Sequence, residues 1–544
     1  MKKPLTHIAA AAVLPILLLL SGCGSPGSGS GDASAPKIIT FGSGEPANPL
    51  VPGNTNESGG GIVISHVLWT GLVTTKADGT LINEVADKIT PNSDNTLFDI
   101  TLKKGWKFTD GTPVTAQSFT KAWSYTANAT NAQKNAGFFS IIKGYDALQK
   151  SGISGDEQLS GLKVISDSHF TVELNSPTSI FPTMLTYMGF YPMPEAFFKD
   201  PKGFGEKPIG NGPYKFKSWD HSREIDVVRN PDYHGYYKAK NDGITYKIYT
   251  DPQAQYADVQ AGNLDVSTNI PTAAISTFLT DNTVKGYSKP GGARVALGIS
   301  QKYAHFTGEE GRLRRAAISM SINRKQITEK VLHGAATPSK DFSAPVINGY
   351  SDSLKGGDVL EYNAAKAKQL WAQANAISPW SGEFEISYNA DGPNFRDVYN
   401  AVANQIKNTL GIKAIANGMP TKQEYLTAGS AGKLTAAFHD NWGPDYPSIE
   451  NYLKPIYSTD AANTGSNFGD YRNPEFDTLL TQAAKASSTE AANKLYQQAE
   501  EILLRDLPSM PLYNVNAVAV TTKDISSLEF DWGGSPVLPF VEKQ

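Results

Sequence analysis

One cysteine, Cys23, and eight histidines stand among 544 residues, and these bound the reactive chemistry open to the chain. A lone thiol excludes a disulfide framework and any metal site built on several thiolates. His305 precedes Glu309 and Glu310 closely enough for a metal pair, and equally for a polar surface loop. No Gly-x-x-x-x-Gly-Lys-Ser/Thr cradle for phosphates occurs, and Gly42-x-Gly44 lacks the third glycine of a dinucleotide fingerprint. The Gly-x-Ser-x-Gly elbow and the His-Glu-x-x-His zinc motif are also missing. Carboxylate pairs for glycoside hydrolysis come from distant strands and leave no spacing, so a secreted hydrolase stays open on that ground alone. The expectation is a protein that is not an enzyme and uses no cofactor and no metal.

The remaining chemistry lies at the N-terminus. Met1-Lys2-Lys3 is followed by an apolar run from Ile8 to Leu20, broken by Pro15. Spanning a bilayer core takes about 20 apolar residues, so the run reads as the core of a secretory signal. Leu20-Ser21-Gly22-Cys23 then resembles the bacterial lipobox, which implies cleavage before Cys23 and a diacylglycerol on its sulfur; the alternative is a plain signal with an incidental cysteine. Residues 24–36 are almost entirely Gly, Ser, Ala and Pro, a flexible tether. Lys and Arg number 49 against 53 Asp and Glu, with no long run of either sign, which argues against nucleic acid as a partner. The length suits about three domains with ample core.

From Lys37 onward strands and helices mix without a repeat. Phe98-Ile100-Leu102, Phe170-Val172-Leu174, Ile225-Val227 and Ile244-Tyr246-Ile248 alternate as half-buried strands do. Leu313, Ala316, Ala317 and Met320 form a helical stripe; Asn323 with Gln326 fits the start of the next helix, and Gly334 its end. Asn394 to Leu410 carries Phe395, Val398, Val402 and Ile406 and is closed by Gly411. Ser487 with Glu490 fits a capping box for a helix that Pro508 and Pro511 forbid to continue. Asp110-Gly111 reads as a turn, Pro113 presets φ, and Thr115 fits the cap of a helix burying Phe119 and Trp123. An α/β body follows.

The segment from Leu97 to Tyr125, with its Asp-Gly-Thr-Pro turn and helix running to a Trp, resembles a signature of the extracellular solute-binding proteins of ABC importers, family 5, the oligopeptide/dipeptide-binding class. Gly210-Asn211-Gly212-Pro213-Tyr214, Arg229-Asn230-Pro231-Asp232-Tyr233, Leu313-Arg314-Arg315-Ala316 through Ile322-Asn323-Arg324, Asn473-Pro474-Glu475-Phe476-Asp477 and Pro508 to Tyr513 resemble further blocks, in family order. Asn323 departs from the usual Asp, and either residue caps a helix. The resemblance implies a two-lobed, periplasmic-binding-protein-like clamshell of class II type with an additional inserted α/β domain. The expected division is 1–22 signal peptide, 23–36 tether, 37–75 lobe I, 76–195 inserted domain II, 196–292 lobe I again, 293–507 lobe III and 508–544 the C-terminal part of lobe I.

His439-Asp440-Asn441-Trp442-Gly443-Pro444-Asp445-Tyr446-Pro447 resembles the family's cleft segment. The resemblance implies that backbone at Asn441, Trp442 and Gly443 pairs with an extended peptide and that Asp445 holds its α-ammonium, with His439 and Tyr446 alongside. Main-chain pairing gives affinity without regard to sequence, while ligand side chains lie in water-filled pockets. Asp445 is otherwise a turn residue, and Pro444 removes an N–H where pairing is expected. Arg396 occupies the place of a carboxylate clamp, the alternative being a solvated first-turn arginine, and Asn48 lies in what matches the first cleft loop. The function so implied is that of a monomeric, extracytoplasmic receptor. It would be lipid-anchored through Cys23 to the outer face of a Gram-positive-type cell membrane and deliver oligopeptides or dipeptides to ABC permease and ATPase subunits. The same scaffold binding an oligosaccharide or metal chelate is the alternative.

Overall fold

The computed structural model describes residues 36–56 and 58–544, so the signal peptide, Cys23 and all but the last tether residue lie outside the described residues. The fold belongs to the compact unit Lys37–Gln544. Its backbone is a mixed sheet of eleven strands: β1 (Ile38–Ser43), β2 (Tyr214–Asp220), β3 (Glu224–Arg229), β4 (Gly243–Ile248), β5 (Val266–Ser267), β6 (Lys285–Ile299), β7 (Ala336–Pro338), β8 (Phe384–Asn389), β9 (Ala414–Met419), β10 (Ala437–Trp442) and β11 (Ser509–Thr521). They run in the order β9-β8-β10-β6-β11-β5-β1-β4-β3-β2, with β7 against β11 off this path.

Two long antiparallel strands hold the middle. β6 and β11 pair from Lys285↔Thr521 to Gly298↔Ser509, and the register shifts between Pro290 and Arg294. Pro290 has no amide hydrogen to give the ladder, and a Cβ on Gly291 would stand 2.8 Å from the Val515 carbonyl oxygen, so the strands approach there only because glycine lets them. Strands from the N-terminal half of the chain, with β5, flank the pair on one side; β8, β9 and β10 flank it on the other.

A separate antiparallel sheet has the order Ala86–Pro91, Leu97–Leu102, His169–Glu173, Leu162–Ser166. The alternation read in the sequence is its packing: Phe98, Ile100, Leu102, Phe170 and Val172 are buried. The helix Ala116–Ala127 lies on that face, with Phe119 and Trp123 wholly buried and their rings 6.1 and 5.8 Å from Phe170. Its start is fixed as expected, Thr115 donating its N–H to Ser118 Oγ at 3.1 Å. The preceding turn closes through the Thr112 N–H on Asp110 Oδ1 at 2.9 Å, with Gly111 at φ 88°.

Helices pack about the C-terminal half of the sheet. Asn323 accepts from the Gln326 N–H at 2.9 Å, but its own N–H goes to Gln405 Oε1, so a distant residue closes that cap, and the helix widens into a π-turn over Ile327–Val331. The final helix spans Thr489–Asp506 and its cap is Ser488, accepting from the Ala491 N–H at 3.2 Å, rather than Ser487; the expected box is displaced by one residue because the side chain that reaches the third helical N–H wins. His305 and Glu310 do meet, at 2.7 Å, but Glu310 also receives the buried Arg314, and the described residues contain no group of three or more His, Cys, Asp or Glu fit for a metal ion. Among them, no helix is long and apolar enough to cross a membrane.

Two carboxyls share this core. Glu500, wholly buried on the last helix, sits against the wholly buried Asp341, which accepts from the Phe342 N–H at 2.7 Å. Burial holds both above the usual carboxylate range; the Asp341 charge raises Glu500 further, whereas the hydrogen bonds that Asp341 accepts work against its own rise. A carboxyl whose pKa is raised on folding favours the folded state at low pH, and that contribution is lost as pH rises through the folded pKa. Glu500→Gln is therefore expected to raise the melting temperature at pH 8 and to change it little at pH 4.5, as scanning calorimetry at the two pH values would show; a larger gain at pH 4.5 would contradict a carboxyl raised by burial.

Candidate ligand-binding cleft

β10 is where the sheet offers an edge. It pairs antiparallel with β6 along its whole length, from Ala437↔Ile299 to Trp442↔Arg294. On its other side β8 meets it only at Ile386↔Ala437 and Ser387↔Phe438, so the backbone from His439 to Trp442 has no strand neighbour there. The Tyr425 hydroxyl donates to the His439 carbonyl, an anchor at the point where pairing stops. Alternation turns His439 and Asn441 to one face and Asp440 and Trp442 to the other.

The Asp440 face is locked. Arg294, wholly buried on β6, donates to Asp440 Oδ2 at 3.1 Å and to the Tyr457 hydroxyl at 2.7 Å, and Tyr457 contacts Ser509 of β11 at 2.5 Å. One cluster thus joins β6, β10 and β11. The opposite face looks onto a cavity of about 780 Å³, lined by His439, Asn441, Phe395, Lys422, Tyr425 and Tyr513 among others. His439 is buried there, its ring 4.2 Å from Phe395 and its Nδ1 at 2.7 Å from the Tyr399 hydroxyl; burial pushes its pKa down to about 4, so it is a neutral wall at neutral pH.

Past the end of β10 the chain turns. Asn451 accepts the Asp445 N–H at 2.9 Å and the Trp442 indole N–H at 3.1 Å on one oxygen, which sets Asp445 toward a second cavity of about 620 Å³. Pro444 lies in this turn beside the same cavity, so its missing donor falls outside β10. Glu45, His66, Tyr187 and Asp531 also line it. Among the described residues, no Lys or Arg lines this cavity and none pairs with Asp445. Burial, with Glu450 nearby, raises the Asp445 pKa, and burial pushes Asp531 up to about 6. Thr268 and Asn269 line both cavities.

The remaining expected residues scatter. Gly443 is exposed in the turn; Tyr446 is buried and donates to Glu450 Oε2 at 2.9 Å, away from either cavity. Arg396 is exposed on the first turn of the helix Phe395–Leu410 and lines neither cavity, whereas its neighbours Asn394 and Phe395 line the larger one. Asn48 is half-buried and lines neither, although Gly44 and Glu45 of the same segment reach the smaller. Lys422, Tyr425, Asp531 and Asn269 were not anticipated. Asp531 had a readable turn signal, since it precedes Trp-Gly-Gly-Ser and accepts the Ser535 N–H at 2.8 Å, but a turn signal does not announce a cavity.

A divided sheet carried by two through-strands, with an open strand edge between two cavities, defines a two-lobed binding protein. The chain belongs to the bacterial extracellular solute-binding proteins, family 5, whose profile matches residues 80–464. The oligopeptide-binding protein OppA of Bacillus subtilis is 26% identical over 533 residues, 92% of each chain. The structure of MppA, a periplasmic murein tripeptide-binding protein in its unliganded open form, matches with TM-score 0.80 at 24% identity, over 94% of this chain and 96% of that one. The structure of Haemophilus influenzae OppA in complex with RPPGFSPFR matches with TM-score 0.67 at 21% identity, over 94% and 99%.

The locked face yields a prediction. Asp440→Ala leaves the Arg294 guanidinium buried without its counter-charge, and breaking a buried pair in this way costs about 3–5 kcal/mol. Urea denaturation should show that loss, and a variant as stable as the parent would mean the pair does not organise β10.

Proposed function

We propose that this chain is the substrate-binding protein of an ABC importer that captures peptides in the cleft beside β10 and delivers them to a membrane permease. The observation that carries this reading is the outer edge of β10 from His439 to Trp442, which has no strand neighbour, leading to Asp445, which no Lys or Arg among the described residues pairs. An extended peptide meets that edge with the hydrogen bonds every peptide has, and its α-ammonium meets Asp445, a charge-assisted bond worth about 1.5–3 kcal/mol. Relatives named for oligopeptide binding support the reading. In this account the division into lobe I, inserted domain II and lobe III follows the boundaries expected from the sequence, and β6 and β11 are the hinge. Asn441, Trp442 and Gly443 pair with the ligand, His439 and Tyr446 shape the strand and its turn, and Arg396 and Asn48 reach ligand only when the lobes close. The receptor is a monomer, outside the cell, held to a Gram-positive-type membrane by lipid on Cys23, beside its permease and ATPase subunits.

A ligand that binds only the folded state raises the melting temperature by mass action. A panel of free-amine peptides should raise it, and Asp445→Ala should abolish the response to free-amine peptides while leaving N-acetylated ones unchanged; a panel that moved nothing would reject the peptide reading. Cys23→Ser is expected to move the protein from the membrane fraction to the medium, as cell fractionation would register; retention on the membrane would exclude the lipid anchor.

A further inference from the structure

The two cavities make opposite demands. The smaller has Asp445 and Asp531 and, among the described residues, no lysine or arginine; its third carboxylate, Glu45, is already held by His221 at 2.8 Å. The larger has no carboxylate among the described residues. Its charged groups are Lys422, exposed at its rim, and Arg294, whose guanidinium is spent on Asp440. What dominates the larger cavity is apolar surface: Ile275, Leu332, Phe395, Leu426, Val515 and Val518. Leu426 and Val515 are among the few large apolar side chains of the protein left exposed, at 37% and 39%, and they reach this space from different elements, the helix Lys422–Ser430 and β11. Ile275 and Val518 are only partly buried against a core cluster of their own. Apolar side chains exposed toward one another across a concave space mark a surface meant to be covered.

β10 joins the two. A peptide whose α-ammonium stands at Asp445 and whose backbone follows the free edge must run from Trp442 back toward His439, antiparallel to the strand. At roughly 3.4 Å per residue its first residue occupies the acidic cavity, and of the following ones every second side chain turns toward the larger cavity. Its C-terminal carboxylate then travels toward Lys422 and away from Asp445 and Asp531.

We infer that the cleft selects by side chain: it takes free-amine peptides that carry a bulky apolar side chain on the residues after the first that turn toward the larger cavity, and it discriminates against small, polar or acidic ones there. The inference rests on the peptide reading above and departs from the expectation of water-filled, indifferent side-chain pockets. A polar pocket keeps its water and tolerates any side chain, whereas an apolar wall rewards each methylene that covers it.

The test is calorimetric titration of the mature protein with matched tetrapeptides, Ala-Phe-Leu-Ala against Ala-Gly-Gly-Ala and Ala-Ser-Asp-Ala. The apolar peptide should bind about 10-fold tighter or more than either. Affinities equal within a factor of two, or a preference for the polar peptides, would overturn the side-chain selectivity and leave the peptide reading standing. Binding of none would overturn both. The double substitution Leu426→Ser with Val515→Ser tests the wall itself. Both residues are exposed, so the unliganded melting temperature should hold, while the preference for Ala-Phe-Leu-Ala falls to a few-fold. An undiminished preference in that variant would place the selectivity elsewhere and reject the assignment of this cavity.

Discussion

Everything in the cleft hangs on the antiparallel pairing of β6 with β11. These are the strands through which the two halves of the central sheet are hydrogen-bonded to each other, and each half takes its register from them. A ladder of that length would be stiff if it were regular. It is not: between Pro290 and Arg294 the register shifts, a donor is missing, and Gly291 and Gly292 remove the side chains that would resist a change of twist. Bending costs least where hydrogen bonds are already absent, and the register shifts again between Val295 and Ala296, so the irregularity of the ladder is confined to residues 290–296. Pro444 of the turn that holds Asp445 stands 3.4 Å from where a Gly292 Cβ would be, which couples that stretch to the acidic cavity.

The next constraint is the charge buried in that stretch. Arg294 begins the second run of β6 pairing, and it binds Asp440 of β10 and, through Tyr457, Ser509 of β11. Taking a guanidinium and a carboxylate out of water is expensive, and apolar residues of like volume would often be as stable. What the pair supplies is registry. A slip of β10 by one residue would send Asp440 to the cavity face and His439 to the core, leaving Arg294 alone in both cases. The cavity face of β10 is thereby set from behind, by the pair of Arg294 with Asp440.

Legibility followed the range of the interaction. Alternation in Phe98-Ile100-Leu102, the cap at Thr115, the turn at Asp110-Gly111 and the helix closed by Gly411 depend on residues a few positions apart, and the structure has them where they were expected. The caps that differed, Ser488 in place of Ser487 and Gln405 closing on Asn323, were decided by a one-residue choice of reach and by a side chain far along the chain. The cleft was the least readable part. His439 became a buried, neutral wall because Phe395 and Tyr399, some forty residues earlier, cover it. Leu426 and Val515 look like core residues on a helix and a strand, and only the tertiary fold leaves them uncovered. No local pattern marks an apolar residue whose partner is absent from the chain.

Asp445 is partly desolvated, which raises its pKa, and among the described residues no Lys or Arg lines its cavity, so an ammonium would meet an unanswered charge there. The larger cavity presents apolar surface with nothing packed on it, a hydrophobic demand of the same standing. Between them lies a strand edge that has no strand neighbour beyond Phe438. A solute that meets one demand gains little, since it must give up its freedom for a single contact. A solute that meets all three pays that entropy once, and the spacing of the demands along β10 becomes the criterion of fit. Specificity here is therefore a matter of sequence along the ligand as much as of shape: charge first, apolar bulk next, with an extended main chain holding the two at the right distance.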